Sequence, residues 1–518
     1  MSGGVTRGPT YGELILSTFR RFGDRPAFVH GGQVASYREM HGRLMRFAAA
    51  LQARGIGPGD AVTVLGTNTP DVLAAAAAGI VVGAHYVPLN PFAGPAENAR
   101  LLERAAVSVL LFEPGLFDEH IAGFAAGAKI KEVLGIGPSG VAEDLHDVAA
   151  RSAGFHPPQV DESDLAIVLH TGGTTGPPKG VMLSHRAMAD AALLVAAHWQ
   201  WPLDLRLAAI PQLAQGLLVP VALRGGTVVL VPGTDPEDLL RSVSDHRATV
   251  TYFPAAMLYG LLDAAGGRPE GTESLETVLY GATPIPPARI EEALGVFGPV
   301  FMQAYSLAEA NVVTILRKEE HDPARRDRLG SCGQPVPGVD LTIQDGTGRE
   351  VEPGEQGEIC VRGRVVMDGY LDDPSRTEEA LRDGWLHTGD YAQQDGDGFV
   401  HILGRRADML ALAAGSVPAR AVEDVLAAYP GVMAAAVFTA RAAGGDDDLV
   451  AAVARRAAGD VAPDVLTGWA LTRLPADHVP RRVHVVDALP LTPNGKVDKR
   501  ALREVLGYPP EALTTPGR

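Results

Sequence analysis

Between Leu165 and Trp199 the residue types change in an order that suits phosphate chemistry. LAIVLH has the length and apolarity of a buried strand, HTGGTTGPPKG is a loop, and SHRAMADAALLVAAHW reads as an amphipathic helix with Ser184 as its N-cap. The loop gathers Gly172, Gly173, Gly176 and Gly180 with Thr171, Thr174 and Thr175, then adds Lys179. Glycines let backbone N–H groups turn toward a ligand, threonine hydroxyls add donors, and the lysine adds positive charge, so a strand, loop and helix of this composition predict a cradle for phosphate oxygens. It differs from the Gly-Lys-Ser/Thr loop of many nucleoside triphosphatases, because Pro177-Pro178 precede Lys179 and Gly180 follows it.

Other constellations carry less. Gly135-Ile136-Gly137-Pro138-Ser139-Gly140 matches a dinucleotide fingerprint, but the stretch where its acidic partner should fall, FHPPQVDESD, is broken by Pro157-Pro158, and a turn is expected instead. Glu319, Glu320, His321 and Asp322 cannot all face one ion from adjacent positions, so a solvated run is expected. Cys332 and Cys360 form no Cys-x-x-Cys pair, which points away from a disulfide framework and from zinc and suits a reducing cytoplasm.

Composition limits the partners. Lys+Arg 45 against Asp+Glu 62 leaves a net charge of −17, and the basic pairs Arg405-Arg406, Arg481-Arg482 and Lys499-Arg500 are too short to form a nucleic-acid groove. Hydrophobic residues at 46% and charged residues at 21% exclude whole-chain disorder. The apolar run Val72 to Ala84 is shorter than the roughly 20 residues a bilayer requires and reads as a buried helix. The first residues lack the charged-then-apolar pattern of a secretory leader and the last match no lipidation signal, so a cytoplasmic chain is expected.

The elements that must position these residues follow from periodicity. A length of 518 residues predicts three or four compact units. Up to about residue 320, helical patterns such as Ser36 to Gly55 alternate with short apolar runs such as Ala61 to Gly66, which argues for parallel strands with crossover helices. From Gly338 to Gly404, short strand candidates (VDLTIQ, GEICVRG, FVHILG) alternate with turn signals. After Asp408 come an alanine-rich helix and the strand candidates AAAVFTA, LVAAVARR and RRVHVVD. The expected architecture is α/β. It comprises a large N-terminal domain over 1–408 with mostly parallel sheets, a β-rich subdomain at about 325–408 within it, and an α+β C-terminal domain over 409–518.

Further motifs fall in line with the loop HTGGTTGPPKGV: YGATP at Tyr280 to Pro284, QAYSLAE at Gln303 to Glu309, GWLHTGD at Gly384 to Asp390, GRRADML at Gly404 to Leu410, and PNGKVDKR at Pro493 to Arg500. In these segments, spread over nearly the whole chain, the sequence resembles the AMP-forming acyl-adenylating superfamily, which includes acyl-CoA synthetases, luciferases and peptide-synthetase adenylation domains. The resemblance implies that Thr171, Gly173, Thr174, Thr175, Gly176 and Lys179 hold the β- and γ-phosphates of ATP. It further implies that Gly281, Ala282, Thr283, Pro284 and Tyr305 flank adenine, that Glu309 binds Mg²⁺, and that Asp390 takes the ribose hydroxyls with help from Arg405. Lys496 would reach the α-phosphate and the incoming carboxylate, forming the catalytic set with Thr171 and Glu309. Asp408 would be the hinge about which a mobile C-terminal domain carrying Lys496 turns between adenylation and acyl transfer to a thiol. The chemistry is coherent: a carboxylate attacking ATP brings like charges together, so a lysine, a divalent metal and backbone donors are needed around the crowded oxygens.

The sequence also departs from that family. Gly172 stands where a hydroxyl is usual and Ala308 where a threonine is usual. Each lost donor is worth about 1.5–3 kcal/mol unless a neighbour compensates. Ala411 replaces a lysine, the turn at Gly415 to Pro418 is short and lacks a Gly-aromatic step, and Ile210 to Leu218 lacks the histidine or aromatic residue usual in acyl-CoA synthetases. These last changes concern the thioester step. The expected activity is an AMP-forming ligase that activates a small organic acid, aryl or medium-chain, and passes it to CoA or a carrier-protein thiol. Two other readings stay open: an ATP-dependent diazotase that uses nitrite on an aryl amine in a natural-product pathway, and a nucleotide-binding partner protein without catalysis. The acid pocket is expected around Tyr252 to Leu258, Ala282 to Ile285 and Ala304 to Val313; the sequence leaves the oligomeric state open, a homodimer being one possibility.

Overall fold

The computed structural model describes residues 7–89, 94–118, 121, 124, 130–171, 179–264, 269–283, 285–405, 409–412, 415–441, 447–456, 459, 461–491 and 497–509. Among them, two large sheets dominate. A nine-stranded sheet runs in the order Gln334–Pro335, Asn311–Leu316, Phe301–Leu307, Thr277–Gly281, Val250–Tyr252, Arg206–Ala209, Thr227–Leu230, Pro26–His30, Gln33–Ser36. Its middle is parallel and its edges are antiparallel. The eight-stranded sheet runs Gly369–Tyr370, Lys179–Ser184, Leu165–Thr171, His85–Tyr86, Ala61–Leu65, Val109–Phe112, Glu132–Gly135, Glu143–Asp144.

The helices Tyr11–Arg21, Tyr37–Ala53, Pro70–Val81, His185–His198 and Pro211–Leu223 share one core with both sheets. Their starts are chemically marked: Ser36 and Glu39 form a reciprocal capping box, and Ser184 accepts from the Ala187 N–H. The alanine-rich run is the buried helix Pro70–Val81, as its composition predicted, and among the described residues no helix is long and apolar enough to cross a membrane. Asn68, buried just beyond Ala61–Leu65, donates to the carbonyls of Ala209 (2.9 Å) and Val231 (3.0 Å), tying the end of one sheet to the end of the other.

Two local expectations change. The loop after Leu165–Thr171 does not feed a helix directly: it returns as the strand Lys179–Ser184, antiparallel to the first, and the helix starts only at His185. Val181 and Leu183 are fully buried, and the pairing with Leu165–Thr171 rather than any local alternation in KGVMLS makes this segment a strand. Likewise, the segment after Asp408 forms a hairpin, Met409–Leu412 with Gly415–Pro418, before the helix Ala419–Ala427. The GxGxxG segment is a turn between short strands, as expected.

The β-rich region forms a five-stranded sheet in which Gln356–Gly363 pairs with Val339–Gln344 and Trp385–Gln394, and the latter pairs with Val400–Arg405. The C-terminal region adds the sheet Val432–Arg441, Asp447–Arg455, Arg482–Val486. It meets the rest of the chain through Arg289, buried on helix Pro287–Phe297, which donates to the carbonyls of Ala427 (2.9 Å) and Val432 (2.5 Å). Arg289 also pairs with Glu292, which pairs in turn with Arg456.

The acidic run at 319–322 is not a solvated cluster throughout. His321 is buried, with Nδ1 against the Arg317 carbonyl at 2.7 Å and Nε2 against the Tyr280 hydroxyl at 2.8 Å. The neutral ring satisfies both partners, donating from Nδ1 and accepting at Nε2, and burial lowers its pKa to about 4. Burial brings His185 to about 4 as well. The unfolded chain therefore binds more protons than the folded one as pH drops from 6.5 toward 4. Stability is full above 6.5 and declines through that window. Melting temperatures measured from pH 7.5 to 4.5 should fall accordingly, and His321→Gln should flatten part of the slope; parallel curves would remove His321 as a source.

Candidate active site

The strands Val250–Tyr252, Thr277–Gly281 and Phe301–Leu307 lie side by side and parallel, so their carboxyl ends share one edge of the sheet, the usual ligand position in such sheets. Gly281 pairs with Ala304, and the Tyr252 hydroxyl donates to the Gly281 carbonyl at 3.1 Å. The three segments expected around an acid and adenine thus meet here, with Ala282 in the left-handed region (φ 60°) and the Thr283 N–H turned onto the Gly281 carbonyl at 2.6 Å. Pro284 lies outside the described residues. A Cβ on Gly281 would sit 2.4 Å from the Ala304 carbonyl oxygen. Gly281→Ala should therefore push the strands apart, costing about 1–3 kcal/mol and weakening nucleotide binding. A thermal melt with an ATP titration checks this, and unchanged curves would mean that the strands part freely.

One charged group forms beside these strand ends. The Tyr305 hydroxyl donates to Asp390 Oδ2 at 2.6 Å, and Arg405 Nε lies 3.3 Å from Asp390 Oδ1. Asp390 and Arg405 are register partners across two strands, while Tyr305 arrives from the large sheet. Asp390 is 6% exposed. Burial, then the Asp390 carboxylate, drive the Tyr305 phenol far above its ordinary pKa, so it stays a donor.

A second charged group forms at the edge of the other sheet. The short strand Gly369–Tyr370 pairs with Lys179–Ser184, placing Tyr370 opposite Val181. Its hydroxyl donates to Glu309 Oε1 at 2.9 Å, and the Lys179 ammonium lies 4.7 Å from its ring centroid. The Met367 N–H donates to the Glu309 carbonyl at 2.8 Å, and Asn311 Nδ2 to the Val365 carbonyl at 3.0 Å, pinning the turn that carries Glu309. Burial and the Glu309 carboxylate raise the Tyr370 phenol, with Arg405 acting in the opposite sense, so the two charged groups lie within electrostatic reach of each other.

The turn before Asp390 has its own support. Gly389 adopts φ 75° and donates to Glu358 Oε1 at 2.9 Å; Thr388 donates to the Ile359 carbonyl at 2.8 Å and accepts from the Asp390 N–H at 3.1 Å. Glu358, Cys360 and His387 converge within 4.8 Å, a spacing compatible with a metal. However, Arg382 already approaches His387 Nδ1 at 3.0 Å and Glu358 at 3.6 Å, which supplies the positive charge there and makes the cluster a brace for the Asp390 turn. Burial pushes the Cys360 thiol up to about 12, far from the reactive thiolate range.

The structure thus brings together Lys179, Gly281, Ala282, Thr283, Tyr305, Glu309, Asp390 and Arg405 from the expected set. Thr171 ends its strand opposite Lys179. Gly173, Thr174, Thr175, Gly176, Lys496 and Asp408 lie outside the described residues. Tyr370 and Glu358 were not anticipated. A tyrosine in a two-residue strand shows no periodicity, and a glutamate in GEICVRG reads simply as a strand's solvent face.

The chain belongs to the AMP-binding enzyme family: residues 17–371 match that family and residues 421–496 match the AMP-binding enzyme C-terminal domain. It is an ATP-dependent, AMP-forming ligase. A medium/long-chain-fatty-acid–CoA ligase of Mycobacterium tuberculosis is 34% identical, over 97% of this chain and 91% of its own. A feruloyl-CoA synthase of Amycolatopsis sp is also 34% identical, over 92% and 95%. Among solved structures, the amide bond synthetase of Marinactinospora thermotolerans has a TM-score of 0.87 at 32% identity, covering 96% of this chain and 99% of that one. ATP-bound MatB from Rhodopseudomonas palustris has a TM-score of 0.85 at 29% identity, covering 96% and 99%.

Proposed function

We propose that this ligase activates an aryl or medium-chain carboxylate with Mg-ATP as its acyl-adenylate and passes the acyl group to the thiol of CoA or of a carrier protein. The observation that carries the reading is the meeting of two charged groups, Tyr305–Asp390–Arg405 and Lys179–Tyr370–Glu309, near the carboxyl ends of the parallel strands Thr277–Gly281 and Phe301–Leu307. In this reaction Asp390 accepts the ribose hydroxyls, with Arg405 beside it and Tyr305 orienting its carboxylate. Gly281 to Pro284 and Tyr305 line adenine, while Lys179 and the loop from Thr171 to Gly176 offset the charge of the β- and γ-phosphates. Glu309 offers the hard oxygen that magnesium prefers, and the ion when bound would screen phosphate charge. Lys496 draws the carboxylate to the α-phosphorus as pyrophosphate leaves. Rotation at Asp408 then withdraws it for the transfer step.

Relatives named for fatty acids and for ferulate support acid activation with CoA as acceptor. Acid-dependent ATP–pyrophosphate exchange across a panel of aryl and medium-chain acids tests the first step, and exchange with none of them would overturn the reading. Mass spectrometry of products formed with CoA, a pantetheinylated carrier or an amine tests the second. An amine acceptor is the second reading, supported by the likeness to an amide bond synthetase and by Ala411 and the lack of a histidine or aromatic residue in Ile210 to Leu218. Pyrophosphate release that needs nitrite plus an aryl amine would instead favour the diazotase.

A further inference from the structure

Tyr370 stands between the opposite charges of Lys179 and Glu309 and contacts each through a different part of its side chain. The hydroxyl donates to Glu309 Oε1, and the ring lies beneath the Lys179 ammonium. Its position is held on several sides. The Tyr370 N–H donates to Thr377 Oγ1 at 2.8 Å, and the Leu371 N–H to the Gly180 carbonyl at 2.8 Å. Gly369 packs so closely that a Cβ there would meet Thr377 Cγ2 at 2.8 Å. The residue is 7% exposed, a high burial for a phenol whose oxygen reaches a charged site.

Oppositely charged groups in a partly dehydrated pocket attract strongly and pair when nothing separates them. A direct Lys179–Glu309 pair would neutralise both the phosphate-binding cation and the metal-binding carboxylate. A π face holds an ammonium without neutralising it, and a phenol donor fixes a carboxylate oxygen without consuming its charge. It also supplies a hydroxyl beside Glu309, where Ala308 has none.

We propose that Tyr370 is a positioning residue with two separable tasks: its hydroxyl orients Glu309 for the divalent cation, and its ring holds Lys179 apart from Glu309 until phosphate arrives. This rests on the reading of Glu309 as metal ligand and Lys179 as phosphate ligand.

The test is equilibrium ATP binding by calorimetry, once in EDTA, which reads Lys179, and once across a Mg²⁺ titration, which reads Glu309. Tyr370→Phe keeps the ring and its packing. It should bind ATP in EDTA like the wild type while needing about tenfold more Mg²⁺ for half-maximal tightening. Tyr370→Leu should additionally weaken binding in EDTA, because Lys179 collapses onto Glu309, and Glu309→Gln in that background should restore it. A merely structural role would not give that restoration. The proposal is overturned if Tyr370→Phe matches the wild type in its Mg²⁺ requirement, or if the double variant stays as weak as Tyr370→Leu. The underlying reading fails separately if Glu309→Gln alone leaves the Mg²⁺ dependence intact, or if Lys179→Ala leaves binding in EDTA intact.

Discussion

Lys496→Ala should lower acid-dependent ATP–pyrophosphate exchange by about 10²–10³-fold, while transfer from a supplied acyl-adenylate to the acceptor stays near the wild-type rate. In the proposed reaction the ammonium acts only where negative charge gathers, as the carboxylate meets the α-phosphate, and the rotated domain has no use for it. The loss should not come from unfolding. The backbone flanking residues 492–496 is fastened by a bridge between Leu491 and Val497 and by the Asp498 N–H donating to the Pro490 carbonyl at 2.8 Å. Lys499 anchors the next helix to Glu423 at 3.0 Å and to the Val437 carbonyl at 2.8 Å. Single-turnover measurements of each half-reaction decide the matter: equal losses in both would contradict a two-orientation cycle.

Asp390→Ala should weaken ATP binding by about 10- to 150-fold, the equivalent of about 1.5–3 kcal/mol for hydrogen bonds to a charged group. The carboxylate is buried and already oriented by Tyr305 and Arg405, so little ordering remains when ribose arrives. The same substitution strands the partly buried Tyr305 phenol without its acceptor, so the melting temperature should drop as well. Tyr305→Phe in the Asp390→Ala background removes the stranded hydroxyl and should recover stability without recovering ATP affinity. An unchanged dissociation constant for ATP in Asp390→Ala would take this residue out of the nucleotide site.

The brace behind Asp390 shows where reading the chain alone stops. GWLHTGD announces a turn and an acid, yet the carboxylate that receives the Gly389 N–H belongs to Glu358, on the neighbouring strand, and reaches it only through the antiparallel register of Gln356–Gly363 with Trp385–Gln394. His321 makes the opposite point. Its neighbours Glu319, Glu320 and Asp322 suggested an exposed run, but the Tyr280 hydroxyl, forty-one residues away, draws the ring into the core.

The chain's own order of residues determined what acts locally. This includes the N-caps at Ser36 and Ser184, the buried alanine helix, the alternation of strands and helices, and the glycine, threonine and lysine content of the loop that starts at Thr171. Neighbours within a few positions are enough to set helix caps, face periodicity and turn chemistry. The tertiary structure alone decided that the loop returns as a strand, that Tyr370 contacts both Lys179 and Glu309, and that Tyr305 from one sheet meets Asp390 from another. Each of these depends on which strands pair and in which register, and burial of whole sheet faces sets that choice over distances that local pattern does not encode.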